Sequence, residues 1–522
     1  MSLLASPAAR VSLAFVLVAV LCVPFADLGV TTLDPWTTLG QMASGLLTPS
    51  LTTVAAPVEA VAMTVAFALW GVVIAAAAGF ALASVFHVVW VRGVCAFLRS
   101  IHELFWALIF LQIFGLHPLT GLLAISIPYA GIFAKVYSEI LEETDAAASR
   151  WSPPGSSAMS VFLFARLPDA WPHIRQYTAY RTECALRSSA VLGFIGIPTL
   201  GYYLHSAFMQ GLYSDAGGLL LLFFALIGLL RWWLKAYLLP VYLAGGLLLL
   251  FDGLPMATAG ANFWRFITSD IVPAPLREGQ FANFPAWLAE LASQSIWPGV
   301  VNTLLLTQIA LVGCGLLAML LFPMVSRYLS GTLTRGGGHL LLVIFRSIPE
   351  YILAFIFLHA FGPSMLPAAL ALALHNGAII AYLIGRHSNE LVLRADRGRG
   401  LNPYAFELTP RLYGQFLAFL FYRWEIIFRE TAIVGILGVQ TLGFFVDNAM
   451  QALKFDQAFA LILVTGFLNL GIDAVSRVIR RSLRLSRASD CGPVAAYRPN
   501  DGDEHKRSGS NMAVQPTASV NT

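Results

Sequence analysis

Four arginine–carboxylate pairs in this 522-residue chain are spaced four residues apart: Arg99 with Glu103, Glu183 with Arg187, Arg346 with Glu350 and Glu425 with Arg429. On a helix that spacing places both members on one face, where a guanidinium and a carboxylate can bridge. All four pairs stand at or inside apolar stretches, and a charge at membrane depth is costly unless it is paired or faces water. The pairs therefore read either as structural pins or as the inner mouth of a hydrophilic path. A ready intrahelical partner for each favours pins.

Other chemistry has no residues to carry it. His102, His117, His359 and His375 stand singly, without ligand spacing, so each reads as an interfacial or packed histidine and no metal is expected. The five cysteines, Cys22, Cys95, Cys184, Cys314 and Cys491, show no paired spacing that would suggest a metal site or a disulfide framework. The sequence has no metalloprotease helix motif, no nucleophile elbow and no Gly-x-x-x-x-Gly-Lys-Ser/Thr phosphate loop. No catalytic or cofactor-binding residue is assigned, and the chain is expected to be neither an enzyme nor an ATPase.

The charged pairs belong to segments that occur twice. Arg99-Ser100-Ile101-His102-Glu103 returns as Arg346-Ser347-Ile348-Pro349-Glu350, each copy entering an apolar run that ends at Gly115 or Gly362. Tyr180-Arg181-Thr182-Glu183, with Arg187 and Val191 to Gly196, returns as Tyr422-Arg423-Trp424-Glu425, with Arg429 and Ile433 to Gly438. One order at nearly one offset marks a duplicated unit of roughly 240 residues, not the short period of a solenoid.

Composition places the duplicated unit in a bilayer. Only 11% of the residues are charged and 58% are apolar, against about 25% charged in an average soluble domain. Windows long enough to cross about 30 Å of hydrocarbon fall at 11–30, 58–88, 95–114, 118–138, 183–210 and 216–236, then at 238–252, 297–325, 340–361, 364–385, 425–449 and 457–475. The windows are continuously apolar, so the fold class expected is an all-α integral membrane protein of about twelve spans, six per copy. The window at 238–252 is the shortest and is interrupted by Pro240 and Gly245-Gly246. With a cytoplasmic N-terminus, all but Arg265, Arg277 and Lys454 of the 32 Lys and Arg lie at the cytoplasmic side, which supports that window as a span. The net charge of +4 is then a matter of topology, and nucleic acid is not an expected partner. The stretch from Arg10 through Val23 is expected to be a retained first span, not a cleaved leader.

This divides the chain into a first module at 1–237, a second at 238–487 and a polar tail at 488–522 expected to be disordered. The second module opens with a proline-bearing extracytoplasmic loop at 253–296, with a short amphipathic piece around Trp287 to Leu291. Each module also has a long cytoplasmic loop, at 139–182 and 386–424. Small residues recur at matched places after the charged pairs: Gly193 and Gly196, then Gly435 and Gly438. Glycines of this kind either let helices pack closely or let one open where it lines a cavity. In the second case Ser188, Ser189 and Thr431 stand beside exposed backbone N–H groups able to meet an anion.

In the loop at 139–182, Gly155 is followed by Leu167-Pro168, and in the loop at 386–424 Gly398 is followed by Leu408-Thr409-Pro410. These loops resemble the coupling loops of ABC-importer permeases, which carry a short helix, a glycine and then a Leu-Pro. A simpler reading is that basic loops anchor to anionic headgroups. With the repeated Arg-Ser-Ile-x-Glu and Tyr-Arg-x-Glu-x-x-x-Arg segments, the chain resembles phosphonate-transporter permeases of the PhnE type over 60–240 and again over 297–480. It differs from them in holding both halves in one polypeptide, and at Ile197-Pro198-Thr199 and Val439-Gln440-Thr441, where they are richer in glycine.

The resemblance implies two type I, binding-protein-dependent transmembrane modules in a bacterial inner membrane. They would import phosphonates or related phosphorus oxyanions through one fused chain per transporter. It implies a periplasmic substrate-binding protein and a cytoplasmic ATPase dimer that holds ATP and Mg. Coupling would run through Gly155, Leu167, Pro168, Gly398, Leu408 and Pro410, in a short helix with Gly155 as its turn and Pro168 as its stop. Alternatives are a fused ABC permease of the iron or thiamine type, which lacks the Tyr-Arg-x-Glu repeats, and a twelve-helix secondary transporter, which needs no pair of matched cytoplasmic loops.

Overall fold

The computed structural model describes residues 6–32, 34–144, 153, 155–251, 256–394 and 401–483. Gly398 and the tail at 488–522 lie outside the described residues. Every regular element among those described is a helix, as continuous apolar windows require.

The first half contributes α1 (Pro7–Cys22), α2 (Pro57–Ser84), α3 (Val89–Ser100), α4 (Glu103–Phe114), α5 (Pro118–Glu143), α6 (Leu167–Val191), α7 (Leu200–Met209) and α8 (Tyr213–Gly228). The second follows the same order: α9 (Leu239–Leu250), α10 (Trp297–Leu321), α11 (Thr332–Ser347), α12 (Glu350–Phe361), α13 (Met365–Glu390), α14 (Thr409–Ile436), α15 (Leu442–Gln451) and α16 (Phe455–Ser482). Short helices, Met256–Arg265 and Phe284–Leu291 among them, fill the segment before α10.

Among the described residues six helices are long and apolar enough to cross a membrane, or nine if each of three bent pairs is one crossing; α8 and α9 are apolar but shorter. The window at 425–449 yields no such helix. There α14 carries Arg423, Glu425, Arg429 and Glu430, too many charges for an apolar span.

Two of the bends are matched. Helices α3 and α4 meet at 90°, and α11 and α12 at 92°. In the second copy Pro349 fixes the break, because a residue before proline is driven out of the helical region and Ile348 is extended. In the first copy His102 does the same work: it is extended, and its Nδ1 accepts from the Leu104 N–H at 3.1 Å as an N-cap. Matching tethers recur elsewhere. The Leu200 N–H donates to Thr64 Oγ1 and the Leu442 N–H to Thr303 Oγ1, each at 2.9 Å.

The outermost helices are exchanged between the halves. Helix α1 packs on α10 and α14, where Gln308 Nε2 donates to the Phe15 carbonyl at 2.9 Å and the Phe15 ring stands 5.1 Å from those of Phe421 and Trp424. Helix α9 packs on α2, where Trp70 Nε1 donates to the Leu243 carbonyl at 2.9 Å. At that contact a Cβ on Gly246 would stand 3.1 Å from the Trp70 ring, so the small residue sets the approach.

Candidate functional site

Helices α5, α6, α13 and α14, with the elbows α3–α4 and α11–α12, enclose a cavity of about 220 Å³ lined from both halves. Seven basic side chains line it: Arg99, Lys135, Arg181, Arg187, Arg346, Arg423 and Arg429. Six carboxylates share it: Glu103, Glu139, Glu183, Glu350, Glu425 and Glu430.

Lys135 and Glu139 pair along α5 at 3.6 Å, but the repeated arginine–glutamate pairs do not close within their own helices. The bend between α3 and α4 separates Arg99 from Glu103, and Arg99 instead reaches Glu425 at 2.9 Å and Asp473 of α16 at 2.8 Å. The same bend separates Arg346 from Glu350, and the Arg346 guanidinium lies 4.2 Å from the Tyr382 ring centroid. Glu183 and Arg187, and Glu425 and Arg429, form no ion pair with each other in the described residues. Both arginines reach across to the other half: Arg187 Nη1 donates to the Arg346 carbonyl at 3.1 Å and Arg429 Nη1 to the Arg99 carbonyl at 2.8 Å.

Those acceptors exist because the elbows end α3 and α11 abruptly, leaving their last carbonyls without intrahelical donors. Around the first elbow, Trp106 Nε1 bonds Leu98 at 3.3 Å, Arg429 bonds Arg99, and Asn469 Nδ2 bonds Ser100 at 2.8 Å. Around the second, Arg187 bonds Arg346 while His375 Nδ1 lies 3.3 Å from the Phe345 carbonyl. Since a carbonyl only accepts, Nδ1 carries the proton in that contact.

Of the six cavity arginines only Arg99 has a carboxylate partner among the described residues. Arg181 is held by aromatic groups: its Nε donates to Tyr177 OH at 3.0 Å, and its guanidinium carbon lies 5.3 Å from the Tyr129 and 5.7 Å from the Tyr177 ring centroids. Tyr129 OH lies 3.1 Å from Ser188 Oγ, which donates to Glu103 at 2.7 Å. In the second half Arg423 Nη1 donates to Asn376 Oδ1 at 3.2 Å and Asn376 Nδ2 to Glu430 at 2.9 Å. Glu350, His375 and Glu430 there offer ligand-type atoms within 4.8 Å of one another, from three different helices. No periodicity reveals that grouping. Arg181 and Arg423, by contrast, belong to the repeated Tyr-Arg-x-Glu segment, which was the one available signal.

Of the small residues expected to flank a pore, Ser188 alone lines the cavity. Ser189 Oγ and Thr431 Oγ1 donate to backbone carbonyls three residues back, Leu186 at 2.9 Å and Phe428 at 2.6 Å. The glycines pack. A Cβ on Gly193 would lie 2.1 Å from the Tyr202 nitrogen and one on Gly435 2.3 Å from that of Phe444, so α7 and α15 fold back against the ends of α6 and α14. Gly196 and Gly438 make the reversals, with φ of 93° and 97°.

At the far end of α6 and α14, Gly155 turns with φ of 93°. A single turn of α-helix and a π-helical stretch, Phe162–Arg166, then run into α6. Leu167 and Pro168 are the first residues of α6, and Pro410 is the second residue of α14 after the π-helical stretch Pro403–Leu408. Pro168 therefore stands within one helical run from Ala158 to Ile195 and does not stop it. Phe164 and Phe406, at matched positions in the two stretches, are 83% and 78% exposed.

No family model matches the chain, and no solved structure matches it. It is 25% identical over 418 residues, 75% of its length and 77% of the relative's, to the phosphate-import permease protein PhnE of Mycolicibacterium smegmatis. It is 30% identical over 155 residues, 28% of its length and 56% of the relative's, to the phosphite transport system permease protein PtxC of Stutzerimonas stutzeri. It is also 26% identical over 110 residues, 21% of its length and 90% of the relative's, to the putative cryptic phosphonate transport system permease protein PhnE2 of Escherichia coli.

Proposed function

We propose that this chain, a multi-pass membrane protein similar along three quarters of its length to a PhnE-type permease, is the transmembrane subunit of an ABC importer for phosphonate, phosphite or phosphate. It works as a transport subunit, not an enzyme, in a bacterial inner membrane. Both modules, 1–237 and 238–487, stand in one polypeptide, which would supply one transporter's whole transmembrane path. The observation that carries the reading is the central cavity. Seven basic groups and six carboxylates from both halves line it, and five of its arginines form no ion pair among the described residues, which leaves guanidinium donors to meet an anion in transit.

The substrate would arrive from a periplasmic binding protein, and the cavity need hold it only weakly, because a conduction path must release what it receives. Work would enter through the exposed segments that lead into α6 and α14. A cytoplasmic ATPase dimer, carrying ATP and Mg, would push on Gly155 to Pro168 and on the matching Leu408 to Pro410. Since α6 and α14 each bear an arginine that grips the opposite elbow, a push at their ends would bear directly on the walls of the cavity.

The test is uptake of labelled phosphate, phosphite and methylphosphonate into vesicles holding the chain with its ATPase and binding protein. Uptake should need both partners and ATP. Uptake that ignores them and follows a proton gradient instead would make the chain a secondary transporter.

A further inference from the structure

The two walls of the cavity follow one plan with different chemistry. Arg181 and Arg423 hold equivalent places in the repeated segment, but what surrounds them has diverged. Where the first half has Tyr177, Tyr129 and Ser188, the second has Phe419, Asn376 and Glu430. The Arg181 guanidinium lies against two tyrosine rings and is anchored at Nε alone; its Nη1 and Nη2 make no hydrogen bond among the described residues. Arg423 has lost the tyrosine hydroxyl and gives Nη1 to Asn376, which in turn holds Glu430. Glu430 then joins Glu350 and His375 in one cluster. The first wall has a single carboxylate in the equivalent group, Glu103, and the Ser188 hydroxyl already binds it.

A guanidinium fixed at Nε with both terminal nitrogens free is a fork whose geometry matches two oxygens of a tetrahedral anion. Stacking on aromatic rings holds it in place without neutralising it. The opposite wall instead commits Arg423 Nη1 to Asn376 and crowds Glu350, His375 and Glu430 together beside it. Building on the importer reading, we infer that Arg181 is the oxyanion-binding residue of the path, taking two oxygens of a small phosphorus oxyanion through Nη1 and Nη2, and that Arg423 is not. The anion is thus bound off the pseudo-symmetry axis, on the first-half wall.

The experiment is ³¹P line broadening of millimolar sodium phosphite by the purified full-length chain, run beside ATP-driven uptake by the complete transporter. The wild type should broaden the resonance. Arg181→Gln should weaken the apparent affinity about 10- to 100-fold, the loss of a charge-assisted bidentate contact, and Arg181→Lys should fall between. Arg423→Gln should lose at least about tenfold less than Arg181→Gln.

Two exchanges between the walls keep the test open if Arg181→Gln does not fold, since each installs a residue the other wall already accommodates. Ser188→Glu should abolish broadening and Glu430→Ser should strengthen it. Equal losses in Arg181→Gln and Arg423→Gln, or exchanges without effect, overturn the inference. Wild-type uptake without any broadening overturns it too while leaving the importer reading intact. A wild-type transporter that takes up no phosphorus oxyanion ends the importer reading itself.

Discussion

Arg429 spans the two halves of the molecule to donate to the backbone carbonyl of Arg99 at 2.8 Å. Arg187 returns the contact to Arg346 at 3.1 Å. Each half thus completes the unfinished helix end of the other, and the acceptors are made available by the 90° and 92° bends.

Arg99 and Arg346 occupy the same place in the repeat but should differ in what they contribute. Arg99→Met strands Glu425, whose side chain is 12% exposed, and weakens the seat of Asp473, so thermal unfolding in detergent should show a loss of about 3 kcal/mol. Arg346→Met removes a ring contact and should cost about 1 kcal/mol or less. Equal losses would mean that the Arg99 cluster adds nothing as an ion pair.

The glycines of the fold-back should resist any side chain. A Cβ at Gly201 would stand 1.8 Å from the Ala190 carbonyl oxygen, and one at Gly443 2.2 Å from that of Ala432. Alanine at either place should destabilise by about 1–3 kcal/mol through overpacking. Gly93, in α3 with nothing within 4 Å, should instead gain up to about 1 kcal/mol on the same change. Unfolding midpoints of the three variants give the comparison.

Leu453 is the one described residue other than glycine with a positive φ, at 58°, and its counterpart in the first half is Gly211 at 70°. The leucine is 72% exposed, so replacing it loses little burial. Leu453→Gly should raise stability by about 1 kcal/mol through release of backbone strain. Gly211→Leu should lower it by a similar amount, and a fall in the first variant would show that the exposed side chain contributes contacts outweighing the strain.

Phe164 and Phe406 should matter for transport and not for folding. Phe164→Ser and Phe406→Ser are expected to change stability by no more than about 0.5 kcal/mol, because both rings are already in solvent. ATP-driven uptake should drop about tenfold or more if each ring is an anchor for the motor protein. Normal uptake in both variants would move the coupling surface elsewhere.

The helical class and the matched order of elements were legible because continuous apolar windows leave a chain no other way to pair its backbone in lipid. The pairing of the charges was not. An i, i+4 reading assumes an unbroken helix, and only the second copy, with Pro349, carries a conventional break signal; His102 carries none. The neighbours of Arg99 are Glu425 and Asp473, more than three hundred positions away in sequence, and no local spacing encodes them. Arg181 stood inside the repeated segment, and Tyr177, four residues before it on α6, was within reach of helical spacing; Tyr129, the other ring, is brought to it only by the packing of α5 on α6.

The exchange of α1 and α9 bears on how such a molecule can move. Each lobe clasps its neighbour with a peripheral rod, so parting the two would mean peeling both rods away at once, with loss of the Gln308–Phe15 and Trp70–Leu243 bonds.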